Sequence, residues 1–453
     1  MKAENTENKT SATQVRKVKG KIPWVTLIAS LFVLAGGILL ISMSDILAEM
    51  LLILAVAAML VIFGVVILVQ GLKEKKVIMG SLLFTLCWVG ATVLIVADYR
   101  LDIAALVPNV IVGAVSILLG VIRALICVNC FINHFHGGVR NGISAVLCLG
   151  FGLVLVIFPF NNLSVLTFVA GFYMIFYAIT MFIDGIAAVF HADMGENRRR
   201  RRVHFALPNL ITAIKPSRTI NMINRELEKG ELKSGVVIEE KPQKQFDHIN
   251  LEVMVHLTTQ GLNKFGHVDI AIGDTVYSYG TYDSSTVKYG GFVSQGSFIK
   301  VPKVSYLHWC LDYQKKYVIG FGACLSEKQL KNVQDRIDGF VSEQCEPLES
   351  PYEAALRTDS DGSELKDTAS NIVRDVGGKV WTVVRGPYRR YFGININCVQ
   401  FADWLLGDSG IDAVSFSGLR TPGAYYSMLD NMFRRKNTRV IRRTWYVLSK
   451  DIN

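Results

Sequence analysis

The chain has 453 residues, 51% of them hydrophobic, and its 48 Lys and Arg against 38 Asp and Glu give a formal charge of +10. A mean hydropathy of +0.34 in a chain that is still 19% charged excludes a disordered or fibrous protein and argues against a single soluble domain. Long uncharged runs fill residues 22–192 and ordinary soluble composition fills 193–453, so the chain reads as an integral membrane protein with an appended soluble domain.

Residues 1–21 form a polar tail, too long and too acidic at Glu4 and Glu7 for a signal peptide, so the first apolar run is read as a retained helix. The uncharged runs are Ile22–Ser44, Met50–Leu72, Val77–Ala97, Ile103–Ile122 and a double-length run, Asn141–Ile183. About 20 apolar residues cross a bilayer. Pro159, Asn161 and Asn162 break the long run into two, which makes six transmembrane helices over 22–192.

Loop charge sets the direction. Arg16, Lys17, Lys19, Lys21, Lys73, Lys75, Lys76, Arg140 and Arg198 to Arg202 fall on one side, while Asp45, Glu49, Asp98 and Asp102 fall on the other with a single base, Arg100. Both termini are therefore expected in the cytoplasm. The run of Arg198, Arg199, Arg200, Arg201 and Arg202 is read as a topology signal that meets anionic lipid head groups of the bilayer, not as a nucleic-acid site, because no aromatic interleaving accompanies it. Arg123 and Asp184 sit near the cytoplasmic ends of their spans and suggest no ion path. Cys127, Cys130 and His134 share a helical face with zinc-ligand chemistry, but cysteine at the rim of an apolar span behaves equally as a small hydrophobe. No metal or other cofactor is expected.

Two segments look alike: Leu34-Ala-Gly-Gly-Ile-Leu-Leu-Ile to Gly71, and Leu149-Gly-Phe-Gly-Leu-Val-Leu-Val to Gly185, with a more diverged copy between them. Small residues of this kind let membrane helices approach closely. This half resembles the HdeD-like family of bacterial membrane proteins, built from three helical hairpins and linked to acid stress. The resemblance implies three hairpin repeats in the plasma membrane of a bacterium.

Residues 193–245 read as a basic juxtamembrane segment and linker, with a short helix around 218–232. Strand alternation begins at Ile249 to Leu257. His267 to Ile272, a Gly273-Asp274 turn and Val276 to Tyr279 form a hairpin. Ser326 opens a helix reaching about Gln344, and residues 352–379 read as an insertion or loop.

In Gly393-Ile-Asn-Ile-Asn-Cys398-Val-Gln-Phe-Ala-Asp-Trp, a polar start leads into an amphipathic helix with Cys398 in its first turn. A helix N-terminus favours a thiolate, and a nucleophilic cysteine also needs a base. By spacing alone His248, His256, His267 and His308 all remain open. Cys310 and Cys345 read as structural.

Gly266-His267-Val-Asp-Ile-Ala-Ile-Gly-Asp274 resembles the histidine strand of NlpC-type papain-like thiol hydrolases, and Asn397-Cys398-x-x-Phe401 resembles their nucleophile helix. Histidine before cysteine is the order of the circularly permuted branch related to lecithin:retinol acyltransferase. The resemblance covers about residues 246–435 and implies that residues 246–453 form a cytoplasmic α+β papain-like domain with an antiparallel sheet. It implies Cys398 as nucleophile, His267 as base and Tyr279 in the orienting position, with Ser278 and Asp283 nearby. It also leaves Asn395 or Asn397 as oxyanion donors. The expected activity is hydrolysis or acyl transfer on an amide or ester of a small-molecule, lipid or peptide substrate. Arg374, Lys379, Arg385, Arg389 and Arg390 are bases suited to anionic head groups. The competing expectation is a non-enzymatic, stress-related membrane protein whose papain-like domain is degenerate and binds a ligand or partner.

Overall fold

The computed structural model describes residues 12–17, 24–42, 64–65, 68, 82–90, 103–133, 138–158, 168, 171–172, 174–179, 181–183, 186, 203–204, 235–240, 248–257, 266–314, 316–358, 362, 364–393, 396–407, 409, 411, 414–415, 422–435 and 438–447. The chain divides into two compact units, one holding 26–129 and 137–182, the other holding most of the remainder.

Among the described residues the long helices of the apolar half are Trp24–Ser42, Ile103–Ile132 and Gly138–Ile157. Asn109–Ile132 and Gly138–Ile157 are long and apolar enough to cross a membrane, while Leu27–Ser42 and Met174–Ile183 are apolar but shorter. The described residues thus support two spanning helices, not the six expected. Most of the second and third expected spans, the Pro159 turn, His134 and Asp184 lie outside them. The fourth run does not end at Ile122; its helix continues to Ile132, which puts Arg123, Cys127 and Cys130 inside it. Outward side chains such as Phe32, Leu118 and Val146 are exposed and apolar, as lipid-facing surfaces are.

Two glycine pairs explain the close helix contacts. A Cβ on Gly113 would lie 2.9 Å from the Gly152 carbonyl oxygen, and one on Gly152 would lie 2.7 Å from that of Gly113. Gly37 and Gly171 meet in the same way at 2.8 Å. Any side chain at these four positions would push the backbones apart.

The second unit is built on a ten-stranded sheet. In chain order its strands are β1 (Ala12–Lys17), β3 (Gly235–Glu240), β4 (Leu251–Leu257), β5 (His267–Ile272), β6 (Thr275–Gly280), β8 (Ser297–Pro302), β9 (Tyr317–Ala323), β10 (Cys345–Pro347), β11 (Lys379–Val383) and β14 (Val440–Val447). Two small ribbons pair β12 (Arg390–Phe392) with β7 (Val293–Gln295), and β13 (Val414–Ser415) with β2 (Val203–His204). The spatial order of the large sheet is β1-β3-β14-β9-β4-β5-β6-β8-β11-β10, antiparallel except for β1 on β3. Residues expected as a tail and a linker therefore contribute β1 and β3. Arg442 and Arg443 of β14 pair with Glu240 and Glu239 of β3, which gives that segment a reason to join the sheet.

Helices cover both faces. On one, Val333, Ile337 and Phe340 of the helix Glu327–Gln344, Phe401 and Leu405 of the helix Cys398–Leu405, and Leu429 and Phe433 of the helix Pro422–Arg434 pack on Val253, Val255, Val268, Ile270 and Phe321. On the other, Tyr306, Trp309, Cys310, Ile372 and Val376 pack on Met254, Ala271, Val276 and Ile299. Double coverage buries β4 from Leu251 to His256, polar positions included. The segment expected as a loop over 352–379 is instead a structural layer. It holds the helices Pro351–Arg357 and Thr368–Asn371, each capped by a preceding side chain, Ser350 or Asp367. Its apolar residues are too few and too widely spaced to show a helical period.

Candidate active site

Cys398 opens its helix. Asn397 caps it, with Oδ1 accepting from the Gln400 N–H at 3.0 Å and Nδ2 donating to the Gly393 carbonyl at 2.9 Å. That cap replaces the oxyanion role considered for Asn397, and Asn395 lies outside the described residues. The helix packs against β5 and β6, the hairpin that carries His267. The Cys398 sulfur lies near enough to the His267 ring and to the Tyr391 hydroxyl to interact electrostatically with both. Cys398 is buried at 2% exposure, whereas the His267 side chain is 19% exposed, so solvent reaches the pair from the histidine.

Gly266 makes the entry to β5. Its φ is +75°, and a Cβ there would stand 2.6 Å from the His256 carbonyl oxygen, so glycine is required before His267.

Around His267 the structure gathers Asp269, Ser278 and Tyr282. Nε2 is 2.7 Å from Ser278 Oγ, 2.8 Å from Asp269 Oδ1 and 3.2 Å from the Tyr282 hydroxyl. The aligned hydrogen bond goes to Ser278, and Asp269 is an ion-pair contact beside it. Ser278 Oγ in turn lies 2.5 Å from the Tyr282 hydroxyl. Burial alone pulls the His267 pKa down. The Asp269 carboxylate and the Cys398 sulfur outweigh it and raise it to about 10. The ring is thus imidazolium at neutral pH. Burial alone would raise the Asp269 pKa, but the two flanking histidines hold it far below the usual carboxylate range.

Tyr279 is not in this group. It points to the opposite face of β6 from Ser278, donates to the Tyr388 carbonyl at 2.8 Å and stacks on Phe401. The orienting position expected for Tyr279 is filled by Asp269 and Ser278. Asp283 caps a short turn at Ser285. Of the other histidines, His248 and His308 are exposed, and His256 is buried behind Asp269, with Nε2 2.6 Å from Oδ2. Burial pushes the Cys310 thiol up strongly and the Cys345 thiol up to about 12. Among the bases considered for anionic head groups, Arg374 is tied to Asp375, to Asn371 and to the Leu365 carbonyl. Lys379, Arg385, Arg389 and Arg390 are exposed.

Reasoning from the sequence missed Asp269, Tyr391, Tyr282 and Tyr306. Asp269 was legible, since residues i and i+2 of a strand share a face. Tyr391 was not, because only the β7–β12 ribbon brings it to Cys398. No family model, curated protein or solved structure matches the chain.

Proposed function

We propose that the protein is a membrane-embedded thiol hydrolase or acyltransferase whose cytoplasmic domain works through Cys398, His267 and Asp269. The observation that carries this reading is a cysteine at a capped helix N-terminus beside a histidine that is itself backed by a buried carboxylate.

In this reaction His267 takes the Cys398 proton, Sγ attacks the carbonyl carbon of an amide or ester as the thiolate, and the carbonyl electron pair moves to oxygen. Burial, then the adjacent thiol, holds the Tyr391 hydroxyl well above the ordinary phenol range, so it stays protonated and donates to that oxygen. The Cys398 backbone N–H, in the first helical turn, is the second donor. His267 gives its proton to the leaving nitrogen or oxygen as the bond to carbon breaks, which leaves a thioester. Water, or an acceptor hydroxyl or amine, then gives a proton to His267 and attacks the thioester, and Cys398 is released. The third hairpin, six spans with both termini cytoplasmic, and a lipid or acylated substrate at the inner leaflet belong to the same proposal. They are supported by two helices of spanning length and by the loop charges.

The burial of Cys398 favours the second reading, a degenerate domain that binds a ligand without turning it over. One measurement separates them. Purified full-length protein is treated with a thiol-reactive electrophile near neutral pH, and modification is read at each cysteine by mass spectrometry. The enzyme reading expects Cys398 to react faster than the half-buried Cys324, and His267→Ala to abolish the difference. Equal rates, unmoved by His267→Ala, leave the binding reading standing.

A further inference from the structure

His256 is a buried ionisable group that the proposed reaction does not use. It stands directly opposite His267 on the neighbouring strand β4, and the rings are 5.6 Å apart, edge to face. Its Nε2 lies 2.6 Å from Asp269 Oδ2, close but not well aligned as a hydrogen bond. The Tyr306 hydroxyl donates to the same Oδ2 at 2.9 Å. Asp269 is thereby held on two sides: Oδ1 faces His267, and Oδ2 faces His256 and Tyr306. His256 and Tyr306 also pack ring against ring at 5.9 Å, so neither moves alone.

A buried imidazole on a central strand is costly unless it serves a partner, and Asp269 is the carboxylate within reach. We propose that His256 and Tyr306 are positioning residues that fix the Asp269 carboxylate beside His267. The proposal deepens the hydrolase reading and rests on it for its catalytic meaning. Burial keeps His256 neutral, below its ordinary pKa despite Asp269, so it contributes an N–H without adding a competing charge. The groups facing this cluster from the surrounding elements are Ser278 and Tyr282 beyond β6, Cys398 on its helix, and Cys310 and Lys316 flanking β9. Among the described residues, Oδ2 of Asp269 is met by His256 and Tyr306, and these are the two proposed anchors.

The test reads the protonation of His267 in the full chain in lipid nanodiscs, by histidine-selective carbon-13 labelling, with His267→Ala to assign its signal. The wild-type midpoint is expected near 10. His256→Leu, which fills the space without an N–H, and Tyr306→Phe, which removes one oxygen, are each expected to lower it by about one pH unit, tenfold in proton affinity. His256→Gln, which restores an N–H donor, is expected to recover most of that shift. An unchanged midpoint in both His256→Leu and Tyr306→Phe overturns the proposal. If His256→Leu does not fold, Tyr306→Phe decides alone. Lowered midpoints together with an unreactive wild-type Cys398 would keep the positioning role and reject only the hydrolase reading.

Discussion

Asp269 stands two residues beyond His267 on one strand, and its Oδ1 lies 2.8 Å from His267 Nε2. The charged partner of the base therefore comes from the same strand, while Ser278 of the neighbouring strand makes the aligned hydrogen bond. Strand periodicity makes this local, because alternate residues share a face. The consequence is electrostatic, since the carboxylate is what lifts the ring above its ordinary pKa against the pull of burial.

Asp269→Asn keeps the shape and removes the charge. The imidazolium then loses its largest favourable partner, so the alkaline limit of activity, set near 10 by His267, moves toward neutrality. A rate–pH profile with ester substrate on wild type and variant reads this directly. Superimposable alkaline limbs would show that Asp269 does not tune the ring.

The same shift enters stability. A histidine whose pKa rises on folding contributes stability that is fully present below its unfolded value and is lost as pH rises through the folded value. For His267 that window runs from about 6.5 up to about 10. Denaturant midpoints measured across that range should fall more steeply for wild type than for His267→Ala.

Tyr391 and Tyr279 separate the two faces of the site. Tyr391→Phe removes the hydroxyl beside Cys398 that the proposed reaction uses as an oxyanion donor, and is expected to lower kcat by about 100-fold or more. Tyr279→Phe removes a hydroxyl spent on the Tyr388 carbonyl. It should cost about 1 kcal/mol of stability and leave kcat within a few-fold. Reversal of that order in steady-state kinetics would return Tyr279 to the site.

Gly266→Ala places a side chain where φ is +75° and the His256 carbonyl is 2.6 Å away. Strain of this kind costs about 1–3 kcal/mol before the clash is counted. Urea unfolding should show at least that loss, and probe reactivity at Cys398 should fall with it because His267 is the next residue.

Arg443 is buried between Glu239 and Asp430, and its guanidinium lies 4.8 Å from the ring centre of Trp445. Removing one member of a buried ion pair costs about 3–5 kcal/mol. Arg443→Met should therefore destabilise the sheet-bearing unit and loosen β3, which limited proteolysis near residue 235 would detect.

The sequence alone determined the β5–β6 hairpin, the capped helix beginning after Ser326, and Cys398 in the first turn of a helix. Each of these depends on neighbours within a few residues, through periodicity, a turn glycine or a cap. It also offered His267 among four histidines, but spacing could not rank them.

Tertiary structure decided what distant segments do to one another. It brought Tyr391 and Cys398 to His267, turned Tyr279 into the aromatic core, and recruited Tyr306 and His256 around Asp269. It drew β1 and β3 into the sheet, where the register sets Arg443 opposite Glu239. These outcomes follow from hydrogen-bonded register and from which face of each strand meets which helix. A chain read by local period carries neither, and the 51% of hydrophobic residues and the charge of +10 constrain neither.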